Sequence, residues 1–386
     1  MSKEILEKLY FKAVNKVKAK NLIQNNISLK DNILTLVDTK YDLAKYSGLY
    51  IFSVGKASFS MAREVEKLLK DKITGGLAVC LEEKKLKYID TFKSSHPLVT
   101  KRSFKAGNLL IEKMSSLSEK DLVLFFLSGG ASAMVEKPIE GLSFKDFEKV
   151  STAVLKSGVD IKVLNSVRKS ISQIKGGKLA SYTKAKCLTL VLSDVIGDDL
   201  NTIGSALMYD KKVPHYIIGN NKIALKEAKE SIKNKVEKTK IITTKLNKNT
   251  KSAAKYIKEI VQKYDNNYDS FALFFAGETT TKVKANGIGG RNQELALRLL
   301  EETQFSENIS ILCAGSDGID GNSNSAGAFI DKDIYSKIKK MNLDKNEYLK
   351  NCDSNTFFKK LNYDFTIKAT GTNVMDFIFV LKIKRS

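Results

Sequence analysis

The run FALFFA at residues 271–276 passes directly into Gly277-Glu278-Thr279-Thr280, and ISILCA at 309–314 opens into Gly315-Ser316-Asp317-Gly318-Ile319-Asp320-Gly321. Short apolar runs bounded by glycine are the pattern of strands buried on both faces. Glycines and acids at the carboxyl ends of such strands are how open α/β sheets present a ligand site. Between the two runs we expect a short polar strand and then the loop Gly287-Ile288-Gly289-Gly290-Arg291-Asn292-Gln293-Glu294, leading into a helix with Leu295 and Leu299 inward.

The same alternation extends outward in both directions. Residues 49–54 read as a strand, Gly55-Lys56-Ala57-Ser58 as a turn, 59–70 as a helix and 77–81 as the next strand, the order of a parallel sheet. DLVLFFL at 121–127 ends in Ser128-Gly129-Gly130-Ala131-Ser132-Ala133, and CLTLVL at 187–192 delivers Ser193-Asp194 and an acidic turn through Asp199. Helices are expected over 143–155 and 161–174, the second stopped by Gly176-Gly177. An amphipathic helix over 5–17 opens the chain, and a helical or irregular stretch runs on to Tyr46. Toward the end, strands at 216–219 and 240–244 alternate with helices at 221–235 and 252–264, and the tail reads as two antiparallel strands around Gly371-Thr372-Asn373. A polar loop before Pro214 suggests two α/β domains, 1–212 and 213–386, with a cleft between them.

The 386 residues carry a formal net charge of +22, which raises a nucleic-acid reading. Only six of the 65 basic residues are arginine, and a base-reading surface draws on arginine's planar fork. We therefore expect no nucleic acid; the lysine-rich field instead favours anionic small molecules. Four cysteines without a CxxC pair, no leader at Met1-Ser2-Lys3-Glu4 and no run of the ~20 apolar residues a span needs point to a cytoplasmic protein without a membrane partner. Two histidines, His96 and His215, exclude a histidine-rich zinc site.

Four strand ends collect the chemistry: Gly55-Lys56, Ser128 to Ser132, Ser193 to Asp199, and the two loops quoted first. Gly55-Lys56 is not a Walker A turn, because Tyr50 stands where its first glycine belongs, and Gly287 to Gly290 lacks dinucleotide-binding spacing. Arg291 at a helix N-terminus opposes the helix dipole, which favours an anion there; this points to a ligand phosphate or carboxylate beside it, the alternative being a surface arginine paired with Glu294. Asp194, Asp198, Asp199, Asp317 and Asp320 could bind Mg²⁺, orient a hydroxyl or cap turns; their spacing does not fit an EF-hand. His96 before Pro97 is a further candidate substrate contact, the alternative being a histidine packed within its loop.

These motifs together resemble the glycerate 2-kinases of the MOFRL type, related to tartrate-locus proteins labelled hydroxypyruvate reductases. The similarity runs along nearly the whole chain, through Ser53-Val54-Gly55-Lys56-Ala57, His96-Pro97, 127–133, Asn165 to Lys169, Lys175 to Ala180, 192–199, Gly277 to Thr280, Gly289 to Glu294, 314–321, 326–328 and Thr370 to Asn373. The resemblance implies a larger Rossmann-like N-terminal domain and a smaller C-terminal one, with ATP and glycerate meeting in the cleft and domain closure completing the site. It implies catalytic roles for Lys56, Arg291, Asp317 and Asp194, with Mg²⁺ on Asp194 or Asp317. Substrate and nucleotide contacts would come from Gly55, His96, Ser128, Gly129, Gly130, Ser132, Glu278, Gly289, Gly290 and Asn292. Two positions depart from the pattern. Ile203 to Met208 lacks the family's Ser-Gly-Pro-Thr, and Ala131 replaces a third glycine where alanine would resist positive φ.

The expected activity is ATP-dependent phosphorylation of glycerate to 2-phosphoglycerate. The alternatives are NAD(P)H-dependent hydroxypyruvate reduction, which the missing GxGxxG turn argues against, and a nucleotide- or metabolite-binding protein that has lost catalysis. The oligomeric state is open, a homodimer among the options.

Overall fold

The structure is a computed structural model that describes residues 2–156, 161–302, 306 and 308–384. The chain divides into two compact units, Ala19–Gly219 and Met1–Lys18 with Asn220–Ser386. This differs from the expected division at 212 in two ways. The last strand of the first unit lies beyond that point, and the opening helix Ser2–Lys16 packs with the C-terminal half.

The first unit begins with a small antiparallel sheet, β1 (Ile27–Lys30), β2 (Ile33–Leu36) and β3 (Thr39–Asp42), in a stretch expected to be helical or irregular. Its main sheet contains β4 (Gly48–Val54), β5 (Gly75–Cys80), β6 (Asp90–Lys93), β7 (Asp121–Ser128), β8 (Lys186–Leu192) and β9 (His215–Gly219). All its pairings are parallel and the spatial order is β6-β5-β4-β7-β8-β9. Chain order reverses between β4 and β7, so the carboxyl ends of these two strands flank a topological switch point, the usual ligand crevice of a doubly wound sheet. Every residue of β7 is buried, as expected of a strand covered on both faces. Phe52, Val54, Val79, Phe125, Leu127 and Met134 form part of the core beneath this edge.

The second unit holds β10 (Lys238–Leu246), β11 (Phe271–Gly277), β12 (Ile309–Gly315), β13 (Gly327–Ile330), β14 (Asp364–Phe365) and β15 (Asp376–Lys382) in the order β10-β11-β15-β12-β13-β14. The two tail strands do not pair with each other as expected. β14 joins the edge beside β13, whereas β15 runs antiparallel between β11 and β12. An apolar strand such as DFIFVLK gains most by burial in mid-sheet, where both neighbours satisfy its backbone. Consequently Asp376, its first residue, stands opposite both Gly277 and Gly315. The polar strand expected after Thr280 is only an isolated bridge between Thr280 and Asn249.

The helix expected over 161–174 ends at Ser170, so Gly176 and Gly177 are not its stop signal. Among the described residues no helix is long and apolar enough to cross a membrane. Cys80, Cys187 and Cys313 are buried thiols, and burial pushes the first two up to about 11 and about 12, which leaves them unreactive at neutral pH.

Candidate active site

Each unit brings one group of the sequence-derived residues together. In the parallel-sheet unit the turn after β4 is locked onto the turn after β7. Ser53 and Ser58 exchange hydroxyl-to-carbonyl hydrogen bonds of 3.1 and 2.8 Å, closing the first turn on itself. The Lys56 amide then donates to the Gly129 carbonyl at 2.8 Å, and the Ala57 amide to the Ser128 hydroxyl at 3.1 Å. Gly55 adopts φ +124°, and a Cβ there would lie 2.5 Å from the Ser128 carbonyl oxygen. Only glycine allows the two turns this approach.

Three candidate side chains converge on Gly129 and Gly130. A Cβ on Gly129 would lie 1.7 Å from Asp194 Oδ2, and one on Gly130 would lie 2.9 Å from His96 Cδ2 and 3.0 Å from Lys56 Cγ. Lys56, His96, Asp194 and the glycine turn thus form one cluster at the switch point. The Lys56 side chain is exposed, whereas His96 is half-buried. Burial, and then the Lys56 charge, hold the His96 imidazole below its ordinary range, so it is neutral at neutral pH. Asp199 stands apart in its own turn. Burial opposes its ionisation, but bonds from Thr202 and Asn201 outweigh it and hold the carboxyl below its ordinary range.

The Ala131 substitution is harmless. Gly130 carries the positive φ of +85°, and Ala131 begins the short helix Ala131–Met134. The altered loop is strained instead: Gly204, Ser205 and Ala206 are consecutive left-handed residues with φ of 57°, 56° and 59°. It packs directly on the turn. A Cβ on Gly204 would meet Leu127 at 2.8 Å and Ala131 at 3.3 Å, and the Ser205 and Ser132 hydroxyls are 2.8 Å apart.

In the other unit the group forms around Asp376. Arg291, first residue of the helix Arg291–Glu302, bonds it through Nε to Oδ2 at 2.6 Å and Nη2 to Oδ1 at 3.1 Å, and Nη1 meets Glu278. Burial works against the guanidinium charge, but Asp376 and then Glu278 and Asp320 outweigh it, so Arg291 stays charged. The anion expected at this helix terminus is the chain's own Asp320. Its carboxylate accepts from the Asn292 and Gln293 amides at 3.0 and 2.9 Å. Burial pushes the Asp320 carboxyl up to about 7, against the pull of those amides and with the help of Asp376.

Asn292 is buried and links Asp320 to Asp376 through Nδ2, at 3.2 and 3.0 Å. Among the described residues its Oδ1 has no hydrogen-bond partner. Gly289 and Gly290 have packing roles: a Cβ on either would lie 2.3 Å from an oxygen, Ser354 Oγ for Gly289 and Asp320 Oδ1 for Gly290. Asp317 is partly buried, and its Oδ1 accepts from the Ile319 amide at 3.1 Å. A Cβ on Gly315 would sit 3.0 Å from that same oxygen and 3.7 Å from Asn292 Nδ2, so Asp317 borders the cluster. Beneath it the buried Tyr10 hydroxyl donates to the Gly315 carbonyl at 2.7 Å.

Sequence reasoning missed Asp376 and Tyr10 as site residues. Asp376 had one signal, an acid heading an apolar strand; Tyr10 had none beyond its place on an amphipathic helix. Among the described residues no group of three histidine, cysteine, aspartate or glutamate side chains could hold a metal. A Mg²⁺ here would have to take one or two carboxylates and complete its shell from phosphate and water, which is its usual habit with nucleotides.

Residues 5–237 match a family described as a domain of unknown function, DUF4147, and residues 271–376 match the MOFRL family. The chain is 35% identical to a D-glycerate 2-kinase of Thermotoga maritima over 86% of its own length and 90% of the relative's. It is 28% identical to a glycerate 2-kinase of Pyrococcus horikoshii over 98% and 97%. The crystal structure of a glycerate kinase from Thermotoga maritima superposes with a TM-score of 0.88 at 31% identity, covering 99% of both chains.

Proposed function

The chain belongs to the glycerate 2-kinases of the MOFRL family, and from that premise we propose that it moves the terminal phosphoryl group of ATP to the 2-hydroxyl of glycerate, giving 2-phosphoglycerate. The observation that carries the reading is the cluster at the switch point, where an exposed lysine stands over a glycine turn between β4 and β7. Phosphoryl transfer asks a protein chiefly for positioning and charge neutralisation, and this cluster offers both.

In this reading Lys56 neutralises charge on the transferring phosphoryl, and the amides of Ser128 to Ser132 hold a phosphate or the substrate carboxylate. Neutral His96 donates or accepts a hydrogen bond without adding charge. Asp194 or Asp317 orients the attacking hydroxyl or would hold Mg²⁺, whose charge would offset that of the phosphates. Arg291 acts from a fixed orientation, because Asp376 and Glu278 hold its guanidinium.

A product-resolved assay of the purified chain with ATP, Mg²⁺ and a panel of small hydroxy acids tests the reading. We expect nucleotide-dependent phosphorylation of glycerate at the 2-position. No such product, with a family enzyme active in parallel, would overturn it.

A further inference from the structure

We propose that the buried ion pair Glu136–Lys175 is a positioning device for the glycine turn that follows β7. Both side chains are essentially inaccessible, at 0% and 1% exposure, and neither belongs to the group that converges on Gly129 and Gly130. Lys175 Nζ also donates to the Ser132 carbonyl at 2.8 Å. That acceptor belongs to Ala131–Met134, a helix of one turn whose later carbonyls have no partner within the helix. The Ser94 hydroxyl takes the Met134 carbonyl at 2.6 Å, and Lys175 takes Ser132. These two bonds fix where the short helix, and hence the turn before it, can lie.

The backbone beside Lys175 completes a circuit. The Gly176 amide donates to the Ser205 carbonyl at 2.9 Å and the Gly177 amide to the Ala206 carbonyl at 2.6 Å. These are residues of the left-handed loop, and Ser205 returns to the turn through the Ser132 hydroxyl. One segment, Lys175 to Gly177, therefore holds the turn by its side chain and the strained loop by its amides. A left-handed Ser-Ala pair persists only where its surroundings over-determine it.

A buried ion pair is weak evidence for stability, because apolar residues of similar volume often replace one without loss. What they cannot supply is the hydrogen bond to Ser132. This separates positioning from mere structure and gives the experiment its logic. The inference rests on the turn being part of the catalytic site, so the test includes a variant of the turn itself.

In the full-length protein, Glu136→Leu combined with Lys175→Met is compared with wild type by thermal unfolding and by kcat and KM for glycerate and ATP. We expect a melting temperature within a few degrees of wild type and a kcat at least tenfold lower. A double variant with wild-type kcat and KM overturns the proposal. Should it fail to fold, Ser205→Ala decides, since it removes only the hydroxyl link: a lower kcat without loss of melting temperature supports the circuit, and an unchanged kcat overturns it. Gly129→Ala separates the two levels of inference. If that variant turns over normally, the turn is not catalytic and the reading beneath falls as well. If it is inactive while the double variant is fully active, the positioning role alone falls.

Discussion

Arg291 and Asp376, 85 residues apart in sequence, meet as a two-pronged ion pair in which the carboxylate is almost wholly buried and the guanidinium is about one-third exposed. Asp376 starts the central antiparallel strand, and Arg291 starts the helix that follows the glycine loop. Removing the carboxylate leaves the partly exposed guanidinium with Glu278 as its remaining partner. We predict that Asp376→Ala lowers stability by about 1–3 kcal/mol, the usual cost of losing a charge-assisted hydrogen-bonded partner. Urea unfolding measures this directly. Arg291→Lys keeps the charge but loses the fork, and should lower kcat by more than about tenfold through misorientation.

Lys56 is the contrasting case. Its side chain is exposed, so Lys56→Met should change stability by no more than about 0.5 kcal/mol. If it neutralises the transferring phosphoryl, kcat falls by about 100-fold or more while the melting temperature stays in place. Equal activity in the variant and wild type would remove Lys56 from the mechanism.

Asp320 predicts a pH dependence with a definite sign. Its folded-state value of about 7 lies above the ordinary 3.8, so between these values the folded chain holds a proton that the unfolded chain has released. Stability contributed at this site therefore falls as pH rises through that window and levels off above about 7. Asp320→Asn should flatten the decline between about pH 5 and 7 in urea titrations. An unchanged slope in the variant would place the titration elsewhere.

Tyr10 ties the opening helix to the strand end that carries Asp317. Tyr10→Phe loses one buried hydrogen bond and leaves the Gly315 carbonyl without that donor, at a cost of about 1–3 kcal/mol. Deleting the helix Ser2–Lys16 removes buried Leu6, Leu9, Tyr10, Ala13 and Val14. Hydrogen exchange should then accelerate in β11, β12 and β15 before it does so in β4 and β7. The reverse order would contradict the assignment of the helix to the C-terminal unit.

The strands that carry the site were legible because each is a buried apolar run that passes into glycine or into a serine followed by glycine or an acid. FALFFA, ISILCA, DLVLFFL and CLTLVL all become strands where expected, with their loops at the carboxyl ends. The small sheet of β1 to β3 was not legible, because its four-residue strands alternate exposure and mix lysine, serine and threonine with the apolar positions. The turns that join them use positive φ at Asp31 and Val37, and valine gives no local warning of that. Arg291 looked like a ligand's partner because a cation at a helix start is locally unfavourable. Two carboxylates distant in sequence resolve it, Asp320 capping the helix and Asp376 holding the arginine.

By itself the sequence determined the α/β class, the buried strands, the glycine turns and the residue types gathered at the strand ends. Local rules decide these, since periodicity reflects burial and a glycine after a strand reflects backbone freedom. Tertiary structure alone decided which strands became neighbours. It placed β15 between β11 and β12, thereby bringing Asp376 to Arg291, and it set Gly129 against Asp194. Pairings of this kind depend on which apolar faces can be covered and which buried polar groups can be satisfied together, and neither quantity is a property of any one segment of the chain.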